Sequence, residues 1–506
     1  MADESCAPCT PVKIKVPMTP TLERLLNPDL FRRDEPLFTG TLSPPQGGDK
    51  VYNLTPDEIN AILKRRGAVV DLHPGMGGIS PDKLREEIRA GHMLTSLDYM
   101  LTRGCNFECT WCFASSSPLQ KDIIPYGILE KLTADAVAIG TSLFILTGGE
   151  PLMYHDPALG RQQGRGDHFF RVVDMIRRTA AAAGREVKIL TFDDVALITP
   201  EIARRFADYK VGLCTKGDTL IAELQDYKVN QVGAFDKMTR GYQHLIDAGY
   251  GKDPALRLVV NSVLDHTTFD GMVDLHSWVM DHGFDHSIVP VHYCGNAVNE
   301  DQEGGIHSPH VKVLLDLIAR VDADRYGIVW KPWSAFTYDK TCNRNLSGLH
   351  VRADGNVTAC SESPGPDETD RYTFGNVTTP GFSLKDLVAS ERLRQYRDEF
   401  AHGYGTYVCN PDVCDLNAND LCRGGCATRS AYSKIDPETG LIVQNTNPHN
   451  YSEHREDPFC PAWTVLAERQ GVLRPGVLQE IHERLLAKST SLQPVDFPYQ
   501  GAAQIA

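Results

Sequence analysis

Three cysteines follow a short apolar run in Leu97-Asp-Tyr-Met-Leu-Thr-Arg-Gly-Cys105-Asn-Phe-Glu-Cys109-Thr-Trp-Cys112, with the spacing C-x3-C-x2-C. A cubane iron–sulfur cluster has four irons, each taking one thiolate, and bacterial ferredoxin runs supply all four. This run supplies three and stops, so one iron would be left to bind something other than protein. Trp111 precedes the last cysteine, where an indole can shield a cluster from water. The same three thiols could instead hold zinc with a distant fourth ligand. Further on the chain reads Leu146-Thr147-Gly148-Gly149-Glu150-Pro151. Two glycines let the backbone approach a ligand closely, and a glutamate beside them can accept hydrogen bonds from an ammonium. Taken alone, the stretch also reads as a tight turn.

A second set of thiols lies downstream. Cys342-x12-Gly355-x4-Cys360 is followed by Cys409-x4-Cys414-x7-Cys422-Arg-Gly-Gly-Cys426, and then by Cys460-Pro461. Such clustering is what metal sites need, and structural zinc is the alternative to iron–sulfur chemistry here. The N-terminus, Met-Ala-Asp-Glu-Ser-Cys, lacks the basic-then-apolar order of a secretory signal. Without export, the 14 cysteines do not read as disulfides. Cys6 and Cys9 form an isolated C-x2-C that reads as incidental. Cys214 and Cys294 fall in expected strand regions, where a thiol packs as a small hydrophobe.

The elements that must position these residues begin near residue 94. Strands are expected at Leu97–Leu101, Ser142–Thr147, Val187–Phe192, Val211–Cys214, Arg257–Val263 and Ser287–Val291. Helical spacing fills the gaps at Ile128–Ala138, Phe169–Ala183, Pro200–Ala207, Phe235–Ala248 and Phe269–Asp281. Gly140, Gly184, Gly249 and Gly283 stand where left-handed cap residues belong. Six such units imply a parallel sheet with right-handed crossovers, either open and doubly wound or curled into a partial barrel. Both architectures put the site at the C-terminal ends of the strands, where the cysteine run lies. Asp354-Gly355 marks a hairpin turn. Prolines crowd the first fifty residues, with helices expected from Thr55-Pro56 and over Pro81–Ala90.

Net charge of −15 argues against a nucleic-acid substrate, which needs a Lys/Arg excess. No run approaches the roughly 18 apolar residues of a membrane span. A soluble, cytoplasmic protein without membrane partners is expected. With 42% hydrophobic residues it can bury a sizeable core.

The C-x3-C-x2-C run with the Gly-Gly-Glu-Pro stretch resembles the radical S-adenosylmethionine (SAM) enzymes over about residues 94–300. The resemblance implies a partial (β/α)6 TIM-like barrel, with Cys105, Cys109 and Cys112 holding a [4Fe-4S] cluster whose open iron is chelated by SAM. Gly148, Gly149, Glu150 and Pro151 would hold the SAM amino group. Lys216 either pairs with the SAM carboxylate or is simply solvated. Asn261 either points to the cofactor or is a satisfied buried amide. Val291–Ala297 would close the sixth strand where relatives meet the adenine. Many relatives carry Thr-Asn-Gly after the third strand, whereas this chain reads Thr191-Phe192-Asp193-Asp194; that pair either faces the cavity or caps a helix.

The downstream thiols resemble the SPASM extension of radical SAM enzymes, with x4 and x7 replacing the usual x2 and x5 in the middle. By resemblance Cys342, Cys360 and Cys426 would hold one auxiliary [4Fe-4S] cluster, with Cys294 a candidate fourth ligand. Cys409, Cys414, Cys422 and Cys460 would hold a second. The implied organisation is an N-terminal extension (1–92), a radical SAM partial barrel (93–300), a helical bridge (301–335), a loop-rich, cysteine-rich SPASM-like domain (336–470) and a C-terminal helix and mobile tail (471–506). The implied activity is reductive cleavage of SAM to a 5′-deoxyadenosyl radical that abstracts a substrate hydrogen. The expected outcome is oxidation or crosslinking of a peptide or protein, as a RiPP-type maturase performs. The alternative is oxidation, epimerisation or rearrangement of a small metabolite such as a sugar or aminocyclitol. A low-potential donor such as flavodoxin or ferredoxin would supply the electron.

Overall fold

The computed structural model describes residues 88, 90–265, 267–299, 308–328, 347–363, 372–401, 426, 432–435, 442–444 and 474–476. The helix expected from Thr55-Pro56 lies outside the described residues, as does most of the one expected over 81–90.

Six parallel strands carry the fold: β1 (Ser96–Met100), β2 (Leu143–Thr147), β3 (Lys188–Asp193), β4 (Gly212–Lys216), β5 (Leu258–Leu264) and β6 (Asp285–Pro290). Between them run α1 (Tyr126–Ala138), α2 (Asp167–Ala182), α3 (Pro200–Asp208), α4 (Ala222–Lys228), α5 (Ala234–Asp247) and α6 (Met272–Asp281), and α7 (Ser308–Tyr326) follows β6. The strands neighbour one another in sequence order. A doubly wound sheet reverses direction at a switch point; this one never does. Right-handed crossovers of one sense then send every helix to the same face. The result is a mostly parallel α/β sheet of the partial-barrel type, open at β6 among the described residues.

Alternation along each strand sorts its side chains. Leu97 and Tyr99 of β1 pack toward the helices, where the Tyr99 hydroxyl meets Thr133 of α1 at 3.1 Å. Phe169 and Phe170 of α2 pack edge to face with each other, and both rings meet Phe206 of α3. Burying such rings is the main stabilising contribution, about 1.5–3 kcal/mol each. Gly140, Gly184, Gly249 and Gly283 all take positive φ at their helix ends.

The expected hairpin forms from β7 (Gly348–Val351) and β8 (Asn356–Thr358), with Gly355 at φ 85° in its turn. β7 also pairs parallel with β1, so the hairpin and β9 (Thr373–Asn376) extend the barrel sheet on its β1 edge. Asp98 of β1 and His350 of β7 are register partners, with buried side chains 3.9 Å apart. Beyond β9, α8 (Leu384–Val388) and α9 (Glu391–Ala401) complete this edge. The α9 guanidinium of Arg397 is buried and donates to the Gly348 carbonyl. A separate pair, β10 (Ser433–Ile435) and β11 (Ile442–Gln444), is antiparallel. Among the described residues no helix is long and apolar enough to cross a membrane.

Candidate active site

The cysteine loop leaves the C-terminal end of β1 and is held chiefly by its own backbone. The Cys105 N–H donates to the Ser117 carbonyl at 3.1 Å and the Cys112 N–H to the Cys109 carbonyl at 3.2 Å. Two sulfurs accept backbone N–H groups: Cys105 from Phe107 and Cys112 from Ser116, both at 3.4 Å. Phe107 and Trp111 are buried against the loop. Burial pushes the Cys105 and Cys109 thiols up, reinforced at Cys105 by Asp194 and Glu150 and at Cys109 by Cys112. Only a bound metal would draw off those protons.

α4, a short helix that the apolar pattern of the sequence does not announce, props the loop from below. Its terminal carbonyls accept from the loop: Lys228 from the Thr110 N–H at 3.0 Å, and Val229 from the Glu108 N–H at 3.3 Å. The Lys228 ammonium has no exposed surface and is ion-paired with Asp265, which follows β5. Removing one partner leaves a buried charge uncompensated. Lys228→Met is therefore expected to destabilise the protein by roughly 3–5 kcal/mol, read as a lowered denaturant midpoint, and to reduce cluster loading. An unchanged midpoint would show that the pair does not support the loop.

The Gly-Gly-Glu-Pro stretch follows β2 and locks onto the same loop. The Gly149 N–H donates to the Thr102 carbonyl at 2.7 Å and the Glu150 N–H to the Gly104 carbonyl at 2.8 Å. A Cβ on Gly149 would lie 2.3 Å from the Gly104 oxygen, and one on Gly148 would lie 2.7 Å from the Thr102 oxygen. The glycines are thus required by contact with the cysteine loop itself. Pro151 opens a short turn whose N-cap is Glu150. The Glu150 carboxylate is fully buried, one oxygen accepting from the Leu152 N–H at 2.9 Å and the other from the Asp194 N–H at 3.0 Å.

That second bond brings in the acidic pair after β3. Asp193 Oδ1 accepts from the Val195 N–H at 2.7 Å, and Asp194 Oδ1 from the Ala196 N–H at 3.0 Å. Val195 adopts φ 61°, which costs a β-branched residue on the order of 1–3 kcal/mol, and the Asp194 N–H bond to Glu150 keeps the pair beside that glutamate. Burial raises the Asp193 carboxyl to about 6; burial and then the Asp193 charge raise Asp194 to about 8. Glu150 is pushed well above the carboxylate range by burial and by both aspartates.

The later strands close the loop from the other side. Lys216, the last residue of β4, and Asn261, in the middle of β5, are register partners. The Lys216 ammonium lies 4.1 Å from the centre of the Trp111 ring, a cation–π contact. Past β6, Asn296 clamps the loop: its N–H donates to the Cys112 carbonyl at 3.0 Å and its side-chain amide to the Cys109 carbonyl at 2.9 Å. Gly295, at φ 58°, would place a Cβ 2.3 Å from the Cys112 oxygen. Asn296 was legible only as part of the stretch after β6, with nothing local to announce its clamp.

Residues 99–251 match the family model of the radical SAM superfamily, and residues 342–426 match that of an iron–sulfur cluster-binding domain, SPASM. The chain carries a radical SAM domain followed by a SPASM domain. It is 36% identical to the GTP 3′,8-cyclase of Rhizobium etli over 83 residues, which span 15% of this chain and 24% of that relative. The GTP 3′,8-cyclase of Sinorhizobium medicae is 23% identical over 242 residues, 46% of this chain and 60% of the relative. Among solved structures, anSMEcpe with bound AdoMet superposes with a TM-score of 0.54 at 15% identity, covering 79% of this chain and 98% of that one. SuiB of Streptococcus suis bound to S-adenosylmethionine gives 0.51 at 13% identity, covering 80% and 87%. These two structures share the fold.

Of the cysteines expected to hold auxiliary clusters, Cys342, Cys409, Cys414, Cys422 and Cys460 lie outside the described residues. Cys360 is buried just after β8, and Cys426 is half-buried. Cys294 sits beyond β6 rather than within a strand, and its thiol is pushed up by burial and then by the charges of Glu362 and Cys112. His292 Nδ1 and Glu362 Oε2 lie 2.9 Å apart, tying the segment after β6 to the segment after Cys360.

Proposed function

We propose that this protein is a radical SAM enzyme that abstracts a hydrogen atom from a peptide or protein and leaves it oxidised or crosslinked. The observation that carries the reading is the backbone union of the three-cysteine loop with the Gly-Gly-Glu-Pro turn. In it Cys105, Cys109 and Cys112 hold a [4Fe-4S] cluster. When bound to its open iron, SAM supplies methionine and a 5′-deoxyadenosyl radical on one-electron reduction. Glu150 accepts hydrogen bonds from the SAM amino group, Lys216 faces its carboxylate, and Asn261 lines the same cavity. Phe107 and Trp111 keep water from the loop. Gly148 and Gly149 set the spacing between turn and loop, and Pro151 fixes the turn that orients Glu150.

The SPASM cysteines hold two auxiliary clusters in this reading, one on Cys342, Cys360 and Cys426, the other on Cys409, Cys414, Cys422 and Cys460. Such clusters would supply an acceptor for the electron left on the substrate, and a flavodoxin or ferredoxin would supply the first electron. A peptide substrate is supported by similar folds seen with peptides, anSMEcpe with the Cp18Cys peptide and SuiB with precursor peptide SuiA. A small-molecule substrate is the second reading, favoured by the local likeness to GTP 3′,8-cyclases. Anaerobic incubation with SAM and dithionite is expected to release 5′-deoxyadenosine, slowly even without substrate. A cluster-loaded protein that binds SAM yet never releases it would overturn the reading.

A further inference from the structure

Four side chains between the sheet and its helices, outside the site described above, form one hydrogen-bonded line. Ser262 of β5 follows Asn261 and so leaves the strand on the opposite face, toward the helices. His286 of β6 is the register partner of Val260 and leaves that same face. Its Nε2 lies 2.8 Å from Ser262 Oγ, and its Nδ1 lies 3.1 Å from Nδ1 of His276 in α6. His276 Nε2 lies 3.1 Å from Oδ1 of Asp322 in α7. Ser262, His276 and Asp322 are buried. At the other end, the Ser262 hydroxyl donates to the carbonyl of Gly217, the residue after Lys216.

The direction of each bond is fixed from that end. A carbonyl has no hydrogen to give, so the Ser262 hydrogen goes to Gly217 and its oxygen accepts from the His286 Nε2–H. Burial, and then the charge of His276, hold His286 well below its ordinary value. His286 is therefore neutral, and its Nδ1 accepts from the His276 Nδ1–H. His276 Nε2 then meets a carboxylate oxygen, a contact that closes only with a proton between them. Removing any member leaves a buried imidazole nitrogen or the hydroxyl without its partner in the line.

We propose that Asp322, His276, His286 and Ser262 act together as positioning residues: their relay fixes the backbone at Gly217 and, through it, the aim of Lys216 at the SAM carboxylate. The role of Lys216 rests on the function proposed above, whereas the hold on Gly217 rests on the geometry alone. The same segment has other anchors. The Tyr242 hydroxyl of α5 donates to the Lys216 carbonyl at 2.6 Å, and the Asp218 N–H donates to Gln225 Oε1 of α4 at 2.9 Å. The relay adds α7, the helix that follows β6, to the elements that set this segment. Losing it loosens the segment without freeing it, so the effect on SAM is several-fold rather than complete.

Backbone hydrogen exchange, read by mass spectrometry on the full-length, anaerobically reconstituted protein without SAM, tests the positioning directly. Asp322→Ala is expected to speed exchange across Lys216–Thr219, at the far end of the line, as well as in α7. Asp322→Asn is expected to restore slow exchange there, because its amide donates to His276 Nε2 and completes the line without the extra proton. Calorimetry then reads the cofactor. Ser262→Ala and Asp322→Ala are each expected to weaken SAM binding about fivefold, with iron content unchanged. The double variant is expected to lose no more than about fivefold, because members of one network do not add. Should Asp322→Ala fail to fold, Ser262→Ala reads the relay from its other end, as faster exchange around Asp322 that Ser262→Thr, which keeps the hydroxyl, reverses. Faster exchange confined to α6 and α7 in Asp322→Ala, or additive losses in the double variant, overturns the proposal. A wild type that binds no SAM overturns the role given to Lys216, while the exchange measurement still decides the relay.

Discussion

Replacing Cys105, Cys109 and Cys112 together with alanine is expected to remove about a third of the iron, roughly four atoms of twelve, if the SPASM domain holds two further clusters. The structure explains why the loop should survive the change. Its position depends on backbone bonds from Glu108 and Thr110 to the end of α4, from Asn296 to Cys112 and from Glu150 to Gly104, and on the Asn296 side-chain amide bonding the Cys109 carbonyl. The sulfurs add only the two bonds accepted from Phe107 and Ser116. Cluster binding free energy is also folding free energy, so the variant should melt earlier while keeping its secondary structure. Iron analysis and the absorbance near the thiolate charge-transfer bands read the outcome. Loss of zinc with no loss of iron would refute the cluster assignment. Loss of all iron would mean that the SPASM cysteines cannot hold clusters without the radical SAM domain's own.

The parts of this architecture visible in the sequence are those set by local physics. Leu143–Thr147 is a short apolar run that becomes a buried strand, and Gly249 ends α5 at a φ of 108° that other residues avoid. The C-x3-C-x2-C spacing and the Gly-Gly-Glu-Pro stretch are local too, and each lies at a strand end as the parallel-sheet rule requires. Contacts between distant segments left less trace. Nothing in Gly348–Val351 announces that it will pair with β1 rather than form an isolated hairpin. α4 leaves no apolar period in the sequence because two of its buried residues, Gln225 and Lys228, are polar. The pairing of Asp193 and Asp194 with Glu150 follows from the register of β2 and β3, where Leu146 sits opposite Thr191. With the register in hand, the segments that leave both strands lie side by side.

Removing the charge at position 150 is expected to weaken SAM binding by roughly 10- to 150-fold, the loss of one charge-assisted hydrogen bond worth on the order of 1.5–3 kcal/mol. Glu150→Gln is the sharper variant. Glutamine retains one carbonyl oxygen to accept the Leu152 N–H, whereas alanine leaves both the Leu152 and Asp194 N–H groups buried without an acceptor, at about 1–3 kcal/mol each. The same change eases the crowding of three buried carboxylates, so stability can rise while affinity falls. A reduced melting temperature would therefore implicate the backbone donors, and an increased one the carboxylate repulsion. SAM affinity should be measured by calorimetry on the reconstituted variant, with its iron content matched to wild type. If Glu150→Gln then binds SAM as tightly as the wild type, the glutamate serves only to cap its turn and to join β2 to β3. The amino group of SAM would in that case be held elsewhere in the cavity.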